Sequence, residues 1–379
     1  MAPRAKRSRR GHRFRTPKVR KGALDRCCFH AMREARPSSG PLLFSPATAG
    51  PLCRRHELRF ARRAGAGLPS RVVGGWGCSD TRGSLAALGV VARAHASCAK
   101  VSSVTSVLIT GASRGIGRAC ALRLDRRGFD VIAGVRSNEA GRRLAAEAST
   151  RLRVVHLDVA DGGSVRAAAD AAGDRLDVLI NNAGIAVGGV VEALSVDDLR
   201  RQLEVNVVGQ VAVTQAMLPA LRASTGRIVF ISSVSGRVSS PVLTPYAASK
   251  FALEAIADGL RVELRPWGID VVLVAPGSID TDIWRSGLKQ FDDGVAAMTD
   301  EHRRLYAKLL SGSRKLIAST ARRAAPVEKV AGIVEKAVTA SRPRARYVVG
   351  ADARAQIALR SLLPDRAYDA LVARLLGVG

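Results

Sequence analysis

Residues 107–117 read VLITGASRGIG: a short apolar, β-branched run enters a loop with glycines at 111, 115 and 117. The run has the length and composition of a fully buried strand. Beyond the loop, GRACALRLDRRG sets Ala119, Leu122 and Leu124 against a row of arginines and closes at Gly128, the pattern of a helix and its stop. A strand, a glycine loop and a helix together let backbone N–H groups approach a pyrophosphate at the helix amino terminus, where the macrodipole favours negative charge. The spacing is G-x-x-x-G-x-G, not the G-x-G-x-x-G dinucleotide fingerprint, and no Lys-Ser/Thr follows as in a P-loop. A tight turn without any ligand would use the same glycines, so the loop alone does not decide the matter.

Working outward, the same alternation repeats. FDVIAGV, RVVHLDV, LDVLINNAG, RIVFISS, IDVVLVAPG and RYVVG read as strands. EAGRRLAAEA, GSVRAAADAAG, a long stretch at about 194–222, YAASKFALEAIADGLRVEL and PVEKVAGIVEKAVTA read as the helices between them. Strands apolar along their length, alternating with helices, predict an α/β fold: a doubly wound parallel sheet buried on both faces. Right-handed crossovers then place ligands outside the carboxyl ends of the strands, where the unusual residues of this chain fall.

The 379 residues carry a formal net charge of +28, and its distribution matters more than its size. Residues 1–100 hold 22 Lys and Arg against 4 Asp and Glu, whereas residues 101–379 hold 38 against 28. Five of the six cysteines also lie in the first hundred residues, in no zinc-ligand spacing, and only Cys120 lies beyond. A single cysteine cannot form a disulfide within the later region, which fits a reducing, cytoplasmic setting. Isolated histidines such as His156 and His302 have no metal-ligand partners, so no metal is expected. No apolar run approaches the roughly 20 residues of a membrane-spanning helix.

The first hundred residues lack sustained periodicity. Their arginine-rich opening is compatible with a nucleic-acid tail or an organelle-import segment. The reading preferred here is a disordered, dispensable extension, or an upstream start assignment, with VSSVTSVLITGAS from Val101 as a natural beginning. Function is expected beyond residue 100, and nucleic acid is not an expected partner.

Cofactor choice is written where strand two ends, AGVRS. An acid there would hold the ribose hydroxyls of NAD, but the position is Val135, followed by Arg136. With Arg114 in the glycine loop, two guanidiniums suit a 2′-phosphate, so NADP(H) is expected and NAD(H) is the alternative. Tyr246 and Lys250 are four apart and share one helix face. A phenol is a poor acid–base catalyst near neutrality, and a neighbouring ammonium is expected to lower its pKa.

Thr110–Gly117 with NNAG ending at Gly184, NVVG from Asn206, ISS ending at Ser233, YAASK from Tyr246 and APG ending at Gly277 together resemble the short-chain dehydrogenase/reductase family over about residues 104–350. The resemblance implies a Rossmann-type fold and a catalytic set of Ser233, Tyr246, Lys250 and Asn206, the last anchoring a water in a proton relay. Lys250 would also hold the nicotinamide ribose. For the cofactor it implies the loop Gly111, Ser113, Arg114, Gly115, Ile116 and Gly117. Arg136 would lie at the ribose, Asp158 and Val159 at the adenine, and Asn182, Ala183 and Gly184 along the adenosine. Pro276, Gly277, Ile279 and Thr281 would lie beside the nicotinamide. The family's habit of pairing through two long helices, here about 194–222 and 246–264, implies a homodimer or homotetramer.

Between Gly277 and Pro326 lie nearly fifty residues, in which TDEHRRLYAKLLSGSRKLIAS has helical periodicity with Leu305, Leu309, Leu310 and Leu316 on one face. A helical lid over about 278–325 is expected, closing on a hydrophobic substrate or packing on the body. The expected organisation is the basic extension 1–100, one domain 101–355 bearing the lid, and a helical tail 356–379. The long lid and RYVVGADA look more like hydroxysteroid and retinol dehydrogenases than short-lidded acyl-carrier reductases. The activity expected is NADP(H)-dependent interconversion of carbonyl and alcohol on a steroid-, retinoid- or lipid-like substrate. The alternatives are a 3-oxoacyl thioester reductase and a non-catalytic NADP-binding protein.

Overall fold

A computed structural model describes residues 105–281 and 287–378. The expectation for residues 1–100 lies outside the described residues. Seven parallel strands form one sheet: β1 (Ser106–Ile109), β2 (Asp130–Val135), β3 (Leu152–His156), β4 (Val178–Asn181), β5 (Arg227–Ile231), β6 (Asp270–Pro276) and β7 (Arg346–Val349). Their order is β3-β2-β1-β4-β5-β6-β7, so the winding reverses between β1 and β4. That reversal opens a crevice at the carboxyl ends of the two central strands, the usual ligand position in such sheets.

The strand alternation builds two separate cores. Val107 and Ile109 of β1, Val229 and Ile231 of β5, and Val272 and Val274 of β6 join one apolar cluster. Leu108, Ile228, Phe230, Val271 and Leu273, the residues between and beside them, join a second on the opposite face. The first face is covered by α1 (Gly115–Arg126), α2 (Asn138–Ala146) and α10 (Val327–Thr339). The second is covered by α3 (Gly162–Ala172), α5 (Gly209–Ser224) and α6 (Thr244–Glu263). Arg227 at the start of β5 donates to the carbonyls of Ala337, Val338 and Ala340 and so closes the carboxyl end of α10.

The stretch expected as one long helix at about 194–222 is interrupted. α4 (Val196–Leu203) passes through a π-helical turn, Glu204–Val208, into α5. Such turns insert one residue into the helical repeat and often mark functional positions. After β6 the chain forms α7 (Gly287–Ala296), α8 (Asp300–Leu305) and α9 (Ala307–Arg322) before α10. The chain ends in α11 (Ala351–Leu362) and α12 (Asp365–Leu376). Among the described residues no helix is long and apolar enough to cross a membrane.

Candidate active site

The crevice is stitched by hydrogen bonds aimed at backbone. Thr110, fully buried after β1, accepts at its hydroxyl from the N–H of Asn182 and of Ala183, both at 2.9 Å. The Asn182 side-chain amide donates in return to the carbonyls of Thr110 (2.9 Å) and Gly111 (3.1 Å). This close approach explains two of the glycines. A Cβ at Gly117 would stand 2.4 Å from both Asn182 Nδ2 and Gly111 O. Gly111 has φ +65°, the left-handed region that glycine enters without penalty. Asn182, expected along the adenosine, therefore also shapes the glycine loop.

α1 begins at Gly115, and its N-cap residue Arg114 supplies no side-chain cap, nor does the first turn hold an acid. Its first N–H groups thus face the crevice with the dipole's positive end, which suits an anion. Val135 closes β2 as a buried residue and Arg136 follows it exposed, so no carboxylate stands at that strand end. Asp158 lies two residues past β3, where its carboxylate accepts from Ala160 N at 3.0 Å. Val159 is buried, and its carbonyl would lie 2.6 Å from a Cβ at Gly209, so α5 starts hard against it.

Past β5, Ser233 takes extended backbone and its Oγ accepts from Ser235 N at 3.1 Å. Tyr246 and Lys250 lie one turn apart at the start of α6. Ser233 lies near enough to the Tyr246 hydroxyl to pull its pKa down. The Lys250 ammonium donates to Ile231 O at 2.8 Å and lies 5.7 Å from the centre of the Tyr246 ring. Burial pushes Lys250 down from 10.5 to about 8, against the opposing field of Glu254. Tyr246 moves the other way from the expectation: burial raises its phenol above 10.0, and the nearby Ser233 hydroxyl only opposes that rise. The reason is that taking the phenolate out of water costs more here than its neighbours return. Further positive charge or further hydrogen-bond donors beside the hydroxyl would lower that pKa.

Asn206, in the π turn and fully buried, is bound to protein on three sides. Its Oδ1 accepts from Ile185 N (2.8 Å), and its Nδ2 donates to Ile185 O (2.9 Å) and Ser249 Oγ (3.1 Å). Ser249 in turn donates to Tyr246 O at 2.7 Å, so Asn206 connects the segment after Asn181–Gly184 to the helix of Tyr246. Gln202, one helical turn earlier, doubles the clamp by accepting from Val187 N (2.6 Å) and donating to Ile185 O (3.0 Å). Neither Gln202 nor Ser249 is among the expected site residues. Ser249 lies inside YAASK, and the four-residue spacing from Asn206 back to Gln202 is the signal that would place both amides on one face.

Pro276 ends β6, and the following segment is held from two sides. Ala325 N donates to Ser278 O and Asp280 N to Ala325 O, a parallel bridge opposite Ile279. That bridge uses the groups of the flanking residues, not the N–H and C=O of Ile279 itself. Thr281 lies across from Gly115, 3.6 Å from where a Cβ there would stand.

The lid helices pack on the body through a third apolar cluster. Val190, Val242 and Leu310 form its buried centre, joined by Phe291, Val295, Met298, Tyr306 and Leu309. Half of the expected lid face is not part of it: Leu305 is 66% exposed and Leu316 47%. The chain breaks between α8 and α9 at Tyr306, which resets the helical phase, keeps Leu310 inward and adds Ser313 and Ile317 to the buried face. Tyr306 also donates to the Glu192 carboxylate at 2.5 Å, tying lid to body. Among the described residues no cluster of three or more His, Cys, Asp or Glu side chains is placed to hold a metal ion.

The sequence matches the profile of short chain dehydrogenases over residues 105–290. It is 35% identical over 275 residues to an NADPH-dependent 3-dehydrocapnine reductase of Ornithobacterium rhinotracheale, covering 69% of this chain and 94% of that protein. It is 34% identical over 288 residues to retinol dehydrogenase 5 of Mus musculus, covering 70% of this chain and 87% of that one. Among solved structures, a short chain dehydrogenase of Burkholderia cenocepacia in complex with NADP superimposes with a TM-score of 0.54 at 28% identity, over 72% of this chain and 98% of that one. The chain belongs to the short-chain dehydrogenase/reductase family, and is an oxidoreductase with a nicotinamide-dinucleotide-binding Rossmann fold. It is similar to retinol dehydrogenases and to NADPH-dependent reductases in particular.

Proposed function

We propose that the protein is an NADP(H)-dependent oxidoreductase that interconverts a carbonyl and a primary or secondary alcohol on a hydrophobic, steroid-, retinoid- or lipid-like substrate. The observation that carries this reading is the convergence of Ser233, Tyr246 and Lys250 at the carboxyl end of β5, beside a lid whose inner cluster is apolar. The cradle fits a dinucleotide: two glycines leave no room for a side chain, and an uncapped helix start faces the crevice. Gly111, Ser113, Arg114, Gly115, Ile116 and Gly117 would hold the pyrophosphate. Arg114 and Arg136 would hold the 2′-phosphate, Asp158 and Val159 the adenine, and Asn182, Ala183 and Gly184 the adenosine. Pro276, Gly277, Ile279 and Thr281 would flank the nicotinamide.

The cofactor supplies the hydride chemistry. In reduction, Ser233 and Tyr246 orient the carbonyl oxygen by hydrogen bonds, and the Tyr246 phenol releases its proton to that oxygen as the carbon accepts hydride. In oxidation the phenolate takes the alcohol proton back. Lys250 would support the phenolate electrostatically and would hold the nicotinamide ribose, while Asn206 fixes the helix start from which both act. The proposed setting is cytoplasmic. The proposed assembly is a homodimer or homotetramer joined through α4–α5 and α6, where Val208, Phe251 and Val262 are exposed.

The test follows absorbance of reduced nicotinamide with NADPH or NADH against ketosteroids, retinal, medium-chain ketones and acetoacetyl thioesters. NADPH-dependent turnover of a bulky carbonyl is expected, falling by about 10²–10⁴ in Tyr246→Phe. Preference for the thioester would replace the hydrophobic-carbonyl reading with the acyl-thioester one. Dinucleotide binding with no turnover of any carbonyl would favour a non-catalytic binding role.

A further inference from the structure

We propose that Asp352 is a positioning residue for the nicotinamide end of the cofactor site. It lies in the first turn of α11, far in sequence from the other residues of the site, in the Gly350-Ala351-Asp352 step that leaves β7. Gly350 has φ +110° and ψ 145°, a conformation essentially reserved for glycine, and a Cβ there would stand 2.2 Å from Asp352 Oδ1. The turn therefore lets the carboxylate fold back off its helix. It folds onto the segment after β6: Ser278 N donates to Asp352 Oδ2 at 2.8 Å. A Cβ at Gly277 would meet the two carboxylate oxygens at 2.4 and 2.7 Å, so glycine is needed there for the carboxylate to close in. Gly277 N donates to Val349 O at 2.9 Å, which makes the contact continuous from the end of β7 through Asp352.

The segment 277–280 is thus clamped between two elements. Ala325 bridges it on one side, and the Val349 carbonyl and the Asp352 carboxylate hold its beginning on the other. A hydrogen bond to an ionised acceptor is the stronger kind, and this one, although exposed, holds the backbone of Ser278 directly. The sequence carries the device as Gly-Ala-Asp directly after the last strand. The catalytic set does not use it.

The inference rests on the reading of residues 276–281 as the nicotinamide side of the site. Its test compares two ligands, NADPH and 2′-phospho-ADP-ribose, which differ by the nicotinamide ring alone. Binding is measured by calorimetry for wild type, Asp352→Ala and Asp352→Asn. Asp352→Ala is expected to weaken NADPH about tenfold, the scale of one charged hydrogen bond, and to leave 2′-phospho-ADP-ribose within about twofold. Asp352→Asn keeps an acceptor oxygen and is expected to restore most of the NADPH affinity. Equal weakening of both ligands would mean that Asp352 only supports the fold and would overturn the proposal, as would no weakening of either. Should Asp352→Ala not fold, Asp352→Ser takes its place, since its hydroxyl suits a helix start but falls short of Ser278 N. A wild type that binds neither ligand would remove the cofactor reading itself. Wild-type binding with an unchanged variant would remove only the role of Asp352.

Discussion

The β1/β4 crevice and the lid are built in opposite ways. In the crevice, buried and half-buried polar side chains are spent on backbone: Thr110, Asn182, Asn206, Gln202 and Gln210 each bond main-chain groups of a neighbouring loop. The lid is held by an apolar cluster and by exposed side-chain pairs such as Tyr306–Glu192 and Arg314–Asp292. Buried side-chain-to-backbone bonds admit few alternatives, because an unpaired group there loses its full hydration. Exposed pairs and an aliphatic patch tolerate exchange. On the proposed function, the crevice would be the fixed half of the site, suited to one cofactor, and the lid the adjustable half, suited to a variable substrate.

The largest expected break falls on the crevice. Gly117→Val forces carbon atoms into the Asn182 amide and the Gly111 carbonyl, so the loop after β1 must separate from the loop after β4. Loss of measurable NADPH binding is expected, with a fall in stability of about 1–3 kcal/mol, the usual scale of overpacking. NADPH fluorescence and a thermal melt check the two effects. Retained binding would show that the stitching between the loops is not what shapes the cradle.

The same contrast governs what could be read from the chain alone. The glycine loop, the seven strands and the pair Tyr246–Lys250 are local patterns, legible because period and spacing encode them. The partners of Thr110 lie 72 and 73 residues away, and nothing local to Thr110 announces that its hydroxyl will meet Asn182 N and Ala183 N. Asp352 is hidden for the same reason, 74 residues from Ser278. In the lid, the periodicity of 299–319 places Leu305 and Leu316 on the apolar face, whereas the break at Tyr306 shifts the phase by an amount that no repeat reveals. The pKa of Tyr246 depends on burial, which spacing does not contain.

Lys250→Met sharpens the crevice side of the comparison through pH. The folded-state pKa of Lys250 is depressed to about 8 from 10.5, so between those values the unfolded chain binds more protons and wild-type stability rises with pH. The methionine variant lacks this gain. The wild-type melting temperature is expected to climb relative to the variant from about pH 8 to pH 10.5, with the wild type at its greatest relative disadvantage below pH 8. Turnover in the variant is expected to fall by about 10²-fold or more, as for loss of a group that manages the catalytic proton. A pH-independent difference between the two melting temperatures would place Lys250 in a less buried setting than the structure gives it.

Arg136 is an exposed residue of the crevice rim, and its removal should act on one ligand only. If the proposed NADP(H) preference holds, Arg136→Ala is expected to raise KM for NADPH about tenfold while leaving KM for NADH nearly unchanged, because the guanidinium would grip the 2′-phosphate that NADH lacks. Steady-state kinetics with both cofactors checks this. Equal effects on both would mean that Arg136 contributes to the loop and not to the phosphate.

The smallest expected effect falls on the lid. Tyr306 stands at the break between α8 and α9, and its phenol donates to Glu192 on the body; that bond to a carboxylate also raises the phenol's pKa. Tyr306→Phe keeps the ring in the apolar cluster with Leu310 and Val190 and removes only the donor. If the lid is the adjustable half, the melt should be unchanged, while KM for a bulky substrate shifts about two- to fivefold, in the range of one exposed polar contact. NADPH affinity should not move, because the bonds that stitch the crevice among the described residues run between the loops after β1 and β4 and the α4–α6 helices. A change confined to substrate KM separates lid from crevice as independent halves. A parallel loss of NADPH affinity would join them, and would mean that closure of the lid is part of how the cofactor is held.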